Sequence, residues 1–214
     1  MSSTTANLAK TETCVHFNKL SATAREQREK DVALQQRALE ILQGKFGSAI
    51  LEHSSFRDDI SVTIGPETLR QMLAELRENP ELQFDHMSSV TGVDYSRKSV
   101  PAEWGDIRFG VVYNLVSYQN HANFTVRVVV AEDVDVPSVF DMWHGVDWQE
   151  REVYDLFGVR FSGHPDLRRL FMYDDFEGEC PLRKDYPLRG KGERDRSWRH
   201  VRADADSEGK LNPG

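Results

Sequence analysis

Two stretches of strict alternation constrain this chain more than any other feature. Ile107, Phe109, Val111, Tyr113 and Leu115 take every second position of one, and Phe124, Val126, Val128 and Val130 of the other. A period of two puts successive side chains on opposite faces of a strand, so each stretch presents one apolar face. The short polar connection Ser-Tyr-Gln-Asn-His-Ala between them predicts an antiparallel hairpin. A sheet with one apolar face needs a cover, and two helical patterns precede the hairpin. Thr23 with Glu26 three residues on reads as a capping box, after which Val32, Leu39, Ile41, Leu42 and Phe46 recur at helical spacing as far as Gly44 and Gly47. Gly65-Pro66 opens a second helix with Leu69, Met72, Leu73 and Leu76 on one face, and Asn79-Pro80 ends it. Residues 49–54, 60–64 and 84–95 read as further strands. This order predicts an α+β domain over residues 21–146, with the helices packed on one face of a mixed or antiparallel sheet. Residues 1–20 are Ser/Thr-rich and aperiodic and read as a flexible arm.

The pattern changes after Ser138. Pro137 predicts a short helix over 138–145. Asp147 reads as the N-cap of another over 148–157, with Glu150 as its reciprocal partner and Gly158 as its stop. Gly158, Gly163, Pro165, Gly178, Pro181 and Pro187 then exclude long regular elements, although Phe157, Val159, Phe161, Leu167, Leu170, Phe171, Met172, Tyr173, Phe176, Leu182, Tyr186 and Leu188 run through the same stretch. An apolar but irregular segment lies against its own domain or another protein. Residues 147–190 are thus expected to form a helix and an extended docking segment, and residues 191–214 a charged tail. The apolar faces that build a core all precede residue 147, so removal of 147–190 is expected to leave a folded domain.

Charge and cysteine usage exclude several functions. The net charge of −8, from 27 basic and 35 acidic residues, disfavours a groove that tracks phosphates, so nucleic-acid binding is not expected. Residues 181–202 nevertheless hold eight Lys/Arg against Asp185, Glu193 and Asp195, a basic extension suited either to an acidic partner surface or to solvent. Cys14 and Cys180 are too few for an iron–sulfur cluster and fit a reduced, cytosolic compartment. There is no apolar run of the ~18 residues a membrane span needs, and the first residues lack the features of a signal or transit peptide. No glycine-rich phosphate loop, G-x-S-x-G or H-E-x-x-H occurs. The one chemically dense stretch holds Glu150, Glu152, Asp155, His164, Asp166, Asp174, Asp175, Glu177 and Glu179. Such a group suits a divalent metal or an acid–base pair, but Arg151, Arg160, Arg168, Arg169, Arg183 and Lys184 are interleaved, and guanidinium–carboxylate pairing is the favoured reading. His164 before Pro165 reads as a hydrogen-bonding turn residue, and Trp104, Trp143, Trp148 and Trp198 as packing or interface anchors.

These same residues resemble a known signature. Glu150, Arg151, Glu152, Tyr154, Asp155, Phe157 and Gly158, then Gly163, His164, Pro165, Asp166, Leu167, Arg168 and Arg169, closely resemble that of the C subunit of NADH-quinone oxidoreductase, respiratory complex I. Asp175, Phe176 and Gly178, followed by Pro181, Leu182, Arg183, Lys184, Asp185, Tyr186 and Pro187, look like its continuation. One departure is visible, because Glu179-Cys180 stands where the family usually has a single residue. The resemblance implies a non-catalytic scaffold of the peripheral arm, on the cytoplasmic side of the membrane and in contact with it only through the complex. It would dock by the signature residues on the large quinone-site subunit and beside neighbouring peripheral-arm subunits. No catalytic, metal or cofactor residue is implied on this chain; flavin and iron–sulfur clusters belong to partner subunits. Related hydrogenase-type or ferredoxin-dependent assemblies use an equivalent scaffold, and a free-standing metal-dependent hydrolase is the remote alternative. Within the segment, Arg183 is expected to pair with a desolvated carboxylate at the interface, so that its loss is felt in assembly and not in the free chain.

Overall fold

The computed structural model describes residues 22–96, 101, 104–173, 176 and 180–187. The expected arm and tail lie outside the described residues. The elements run α1 (Ala22–Phe46), β1 (Ile50–Phe56), β2 (Asp59–Ile64), α2 (Leu69–Glu78), β3 (His86–Asp94), β4 (Phe109–Ser117), β5 (Ala122–Val130), β6 (Val136–Pro137), α3 (Asp147–Phe157) and β7 (Phe161–Ser162). Five strands form one mixed sheet in the order β1-β2-β5-β4-β3, antiparallel throughout except that β2 and β5 are parallel. The α+β architecture is therefore the one the alternation and helical spacing imply. The hairpin joins β4 to β5 with Ser117 opposite Ala122.

Register turns the alternation into a core. Ile64, Val128 and Val111 form one row on the covered face, and Val62, Val126, Tyr113 and Val90 the next. These residues are buried under Leu69, Met72, Leu73 and Leu76 of α2 and Ala38 and Leu42 of α1. The other face carries a polar row across all five strands, Ser89, Asn114, Thr125, Ser61 and Ser54, tied by hydrogen bonds from Asn114 to Ser89 (2.9 Å), Thr125 to Asn114 (3.0 Å) and between Ser54 and Ser61 (2.9 Å). One face is dry and the other wet, as the two-fold period requires.

α1 is fixed by polar groups as well as apolar ones. Buried Asp31 accepts the Asn123 amide at 3.0 Å, and buried Gln35 accepts the Ile60 amide at 2.7 Å while donating to Asp31 at 2.8 Å. These amides lie at the starts of the parallel strands β5 and β2, so the helix satisfies donors there. Thr23 is not at the N-cap position its spacing predicts. α1 begins at Ala22, ahead of Thr23, and Glu26 pairs forward with Lys30 at 2.8 Å.

Two further expectations are corrected. Residues 138–145 do not form a helix, because Val136–Pro137 pairs in parallel with Phe161–Ser162 and holds the chain extended; only a turn and a short 3₁₀ stretch, His144–Val146, follow. The break expected at residue 146/147 is not a break in packing. Val146, Val153, Val159 and Phe161 belong to the same apolar cluster as the sheet, and α3 lies over β3. Gly92 ends the row Ile64–Val128–Val111, and the Phe157 ring occupies the place a side chain there would fill, 2.5 Å from an ideal Cβ. Removal of 147–190 would thus open the core.

Candidate functional site

α3 is the axis on which the irregular segment is wound. Its N-cap is Val146, with no side-chain cap, so Asp147 and Glu150 are released from the capping roles read in the sequence. Glu150 is fully buried and turns across the corner to accept the Ser138 hydroxyl at 2.6 Å and the Val139 amide at 2.9 Å. Burial raises its carboxyl above the ordinary range despite those two bonds. The far end of α3 stops at Gly158, whose φ of 80° is the left-handed conformation that glycine adopts without strain.

The next turn of the helix holds the segment by its backbone. Arg151 donates to the carbonyls of Arg168 (3.2 Å) and Arg169 (3.3 Å). One oxygen of buried Asp155 accepts three successive amides, Leu170 (3.1 Å), Phe171 (2.7 Å) and Met172 (2.9 Å). Arg169 stands 3.9 Å from the other oxygen. A run of amides converging on one anion forms a tight concave turn, which points alternate side chains outward. Phe171 and Tyr173 are accordingly 58% and 49% exposed.

The last described stretch is clipped over the end of the sheet. Leu182 donates its amide to the Leu156 carbonyl at 3.1 Å, and Arg183 donates from Nε to the Phe157 carbonyl at 2.7 Å and from Nη1 to Glu132 at 2.7 Å. The Lys184 amide donates to Asp94 at 2.7 Å, and Arg108 bridges Glu132 (2.6 Å) and Asp185 (2.5 Å). Arg108 and Arg183 both lie against the Phe109 ring, about 5 Å from its centroid. The Cys180 thiol and Arg183 pack beside Gly158, where a Cβ would lie 2.9 and 2.5 Å from them. Burial pushes the Cys180 thiol up.

The signature residues therefore divide. Arg151, Asp155, His164 and Arg183 are turned inward to shape the segment; Tyr154, Phe157 and Leu167 pack partly against the core. Glu152, Gly163, Pro165, Asp166, Arg168, Leu182, Lys184, Asp185 and Pro187 are exposed, and Phe176, Pro181 and Tyr186 are half-buried. Asp175 and Gly178 lie outside the described residues, as does Glu179 of the departure. Among the described residues the guanidinium–carboxylate pairing read in the sequence is joined by bonds to backbone: Arg168 pairs with Asp166 (2.9 Å) and Arg183 with Glu132 (2.7 Å), while Arg151 takes carbonyls and Asp155 takes amides. Arg183 pairs with Glu132 of its own chain, whose side chain is 42% exposed, and not with the desolvated carboxylate expected of it. Among the described residues no group of three or more His, Cys, Asp or Glu comes together in a way that could hold a metal ion. Of the tryptophans expected as anchors, Trp148 stands outward on α3, 66% exposed, whereas Trp143 is buried and donates to the Asp85 carbonyl at 2.9 Å. Residues missed in the sequence are Ser138, Asp94, Arg108 and Glu132. Each serves the segment from a distant element, with no local pattern to mark it.

Fold and rim define a class: an α+β body that displays an irregular, aromatic-edged segment held by its own third helix. The chain belongs to the family described as respiratory-chain NADH dehydrogenase, 30 Kd subunit, whose family model matches residues 62–192. It is 45% identical over 157 residues to the NADH-quinone oxidoreductase C subunit of Trichlorobacter lovleyi, covering 73% of this chain and 91% of that one. The corresponding C subunit of Geobacter sulfurreducens is 43% identical over 155 residues, covering 72% and 90%. A chain of the membrane-bound sulfane sulfur reductase, an archaeal respiratory membrane complex, shares the fold with a TM-score of 0.59 at 21% identity, over 77% of this chain and 91% of that chain.

Proposed function

We propose that this chain is a structural subunit of a proton-translocating NADH:quinone oxidoreductase, and that it supports electron transfer from NADH to quinone without contributing a catalytic residue. The signature segment docks on the large quinone-site subunit, and neighbouring peripheral-arm subunits flank it. Flavin and iron–sulfur clusters reside on those partners, and the chain sits on the cytoplasmic side of the membrane. No helix among the described residues is long and apolar enough to cross a membrane, which fits a membrane connection made through the complex. The observation that carries the reading is the pairing of saturated backbone with exposed aromatics. Residues 170–172 spend their amides on Asp155, yet Phe171 and Tyr173 face outward, and Leu182 further along the segment is exposed as well. A segment shaped inside and apolar outside is preorganised for a partner surface.

The double variant Phe171→Ser/Tyr173→Ser tests this. Its melting temperature as an isolated chain should match wild type, while membranes carrying it should lose co-purification of the large quinone-site subunit and NADH:quinone activity. Full assembly and activity would sink the reading.

A further inference from the structure

The corner where α3 meets β7 buries titratable groups that docking itself does not use. The His164 side chain is fully buried, with Nε2 3.3 Å from Asp147 Oδ1 and 3.8 Å from Glu150 Oε2. Neither approach makes a hydrogen bond, and among the described residues Nε2 and Asp147 Oδ1 find no hydrogen-bond partner. The other ring nitrogen is engaged differently: Nδ1 accepts the Asp166 amide at 3.1 Å. A nitrogen that accepts an N–H carries no proton, so this geometry requires a neutral ring protonated on Nε2.

A second proton enters only at Nδ1, where it meets the Asp166 amide hydrogen, donor against donor. On the opposite side of the ring stand the Asp147 and Glu150 carboxylates. Among the described residues, Arg70 of α2 and Tyr113 of β4 also lie within electrostatic reach of Glu150. His144, before α3, packs on Phe140, whose ring also faces His164. The Asp166 carboxylate itself is paired with Arg168. Geometry thus sets one hydrogen bond of the turn against the charge of the ring.

We propose that His164 is a proton-operated latch on the docking segment: a proton taken up at Nδ1 ejects the Asp166 amide and opens the turn at residues 164–166. The chain of contacts carries the opening outward. Arg168 and Arg169, whose carbonyls hold Arg151, follow the turn directly, and the amides gathered by Asp155 come next. An open latch therefore loosens the base on which Phe171 and Tyr173 stand. Its consequence for assembly rests on the docking reading; the latch is a property of this chain alone.

Amide hydrogen exchange of the isolated full chain tests it, read between about pH 8 and about pH 5 across the histidine range and corrected for intrinsic rates. The Asp166 amide of wild type should lose protection roughly five- to tenfold at the acid end, as for one hydrogen bond. His164→Asn keeps a side-chain oxygen able to accept from the residue two positions on, but no site for a proton, and its protection should stay level. Asp147→Asn removes one carboxylate from the ring and should move the opening to lower pH, a readout that stands even if the first variant fails to fold. Level protection in wild type, or equal loss in His164→Asn, overturns the latch. A working latch with assembly indifferent to pH would support the latch and count against the docking reading instead.

Discussion

One oxygen of Asp155 carries three amides, and that concentration decides what its loss would do. Alanine at this position removes an ionised acceptor from three donors at once, of which only those reaching water are compensated. Asp155→Ala should destabilise the chain by roughly 2–4 kcal/mol in urea unfolding and raise exchange at residues 170–172. Arg183 offers a contrast. Its partner Glu132 keeps 42% of its side chain exposed, so truncation strands no desolvated carboxylate. Arg183→Ala should cost about 1–2 kcal/mol, through the lost bond to the Phe157 carbonyl, and the cost should appear as a lower melting temperature of the isolated chain. The sequence displayed both residues but not their roles. Alternating acids and bases suggested that Asp155 and Arg151 satisfy carboxylates and guanidinia, whereas burial leaves each of them backbone partners that no spacing records.

Elements were legible where their period was local. β4 and β5 follow their alternation, α2 follows its apolar face, and α3 ends at the glycine that was expected to stop it. β6 and β7 were not legible, since two-residue strands make no pattern and exist only because each finds the other. That pairing is what overrides a helix at 138–145, while Glu150 takes the Ser138 hydroxyl and Val139 amide. The seat of α3 on β3 was also hidden, because it depends on a missing side chain. Gly92→Ala would drive a methyl group into the Phe157 ring, 2.5 Å away. The ring must leave its place, so the variant should lose about 1–3 kcal/mol by chemical denaturation and expose α3 to proteolysis before the sheet.

At the scale of the whole molecule, acid should separate the clipped segment from the body. Burial works to raise the Asp94 carboxyl, but the Lys184 and Ser96 amides, the Ser96 hydroxyl and Arg108 outweigh it, so Asp94 lies below its ordinary value. The hydrogen bond from Arg108 lowers Asp185 likewise. For a depressed carboxylate the stabilisation is present above the unfolded value of about 4 and is lost as pH falls through the folded one. Below about pH 4 the Leu182 and Lys184 amides should therefore lose protection ahead of the β4–β5 pair, and Asp94→Asn should remove that pH dependence at Lys184.

β2 and β5 are neighbours in the sheet, yet α2, β3 and β4 intervene between them along the chain. The search for this parallel contact is long, whereas β4 finds β5 across a short turn. Refolding should consequently begin on the hairpin and wait for β2, with α1 locking the pair once Asp31 and Gln35 meet the strand starts. In stopped-flow kinetics Leu115→Ala should slow folding, while Val62→Ala should chiefly quicken unfolding. A nascent chain would then hold its quickest-forming strands while β1, β2 and α1, although made first, are still unplaced.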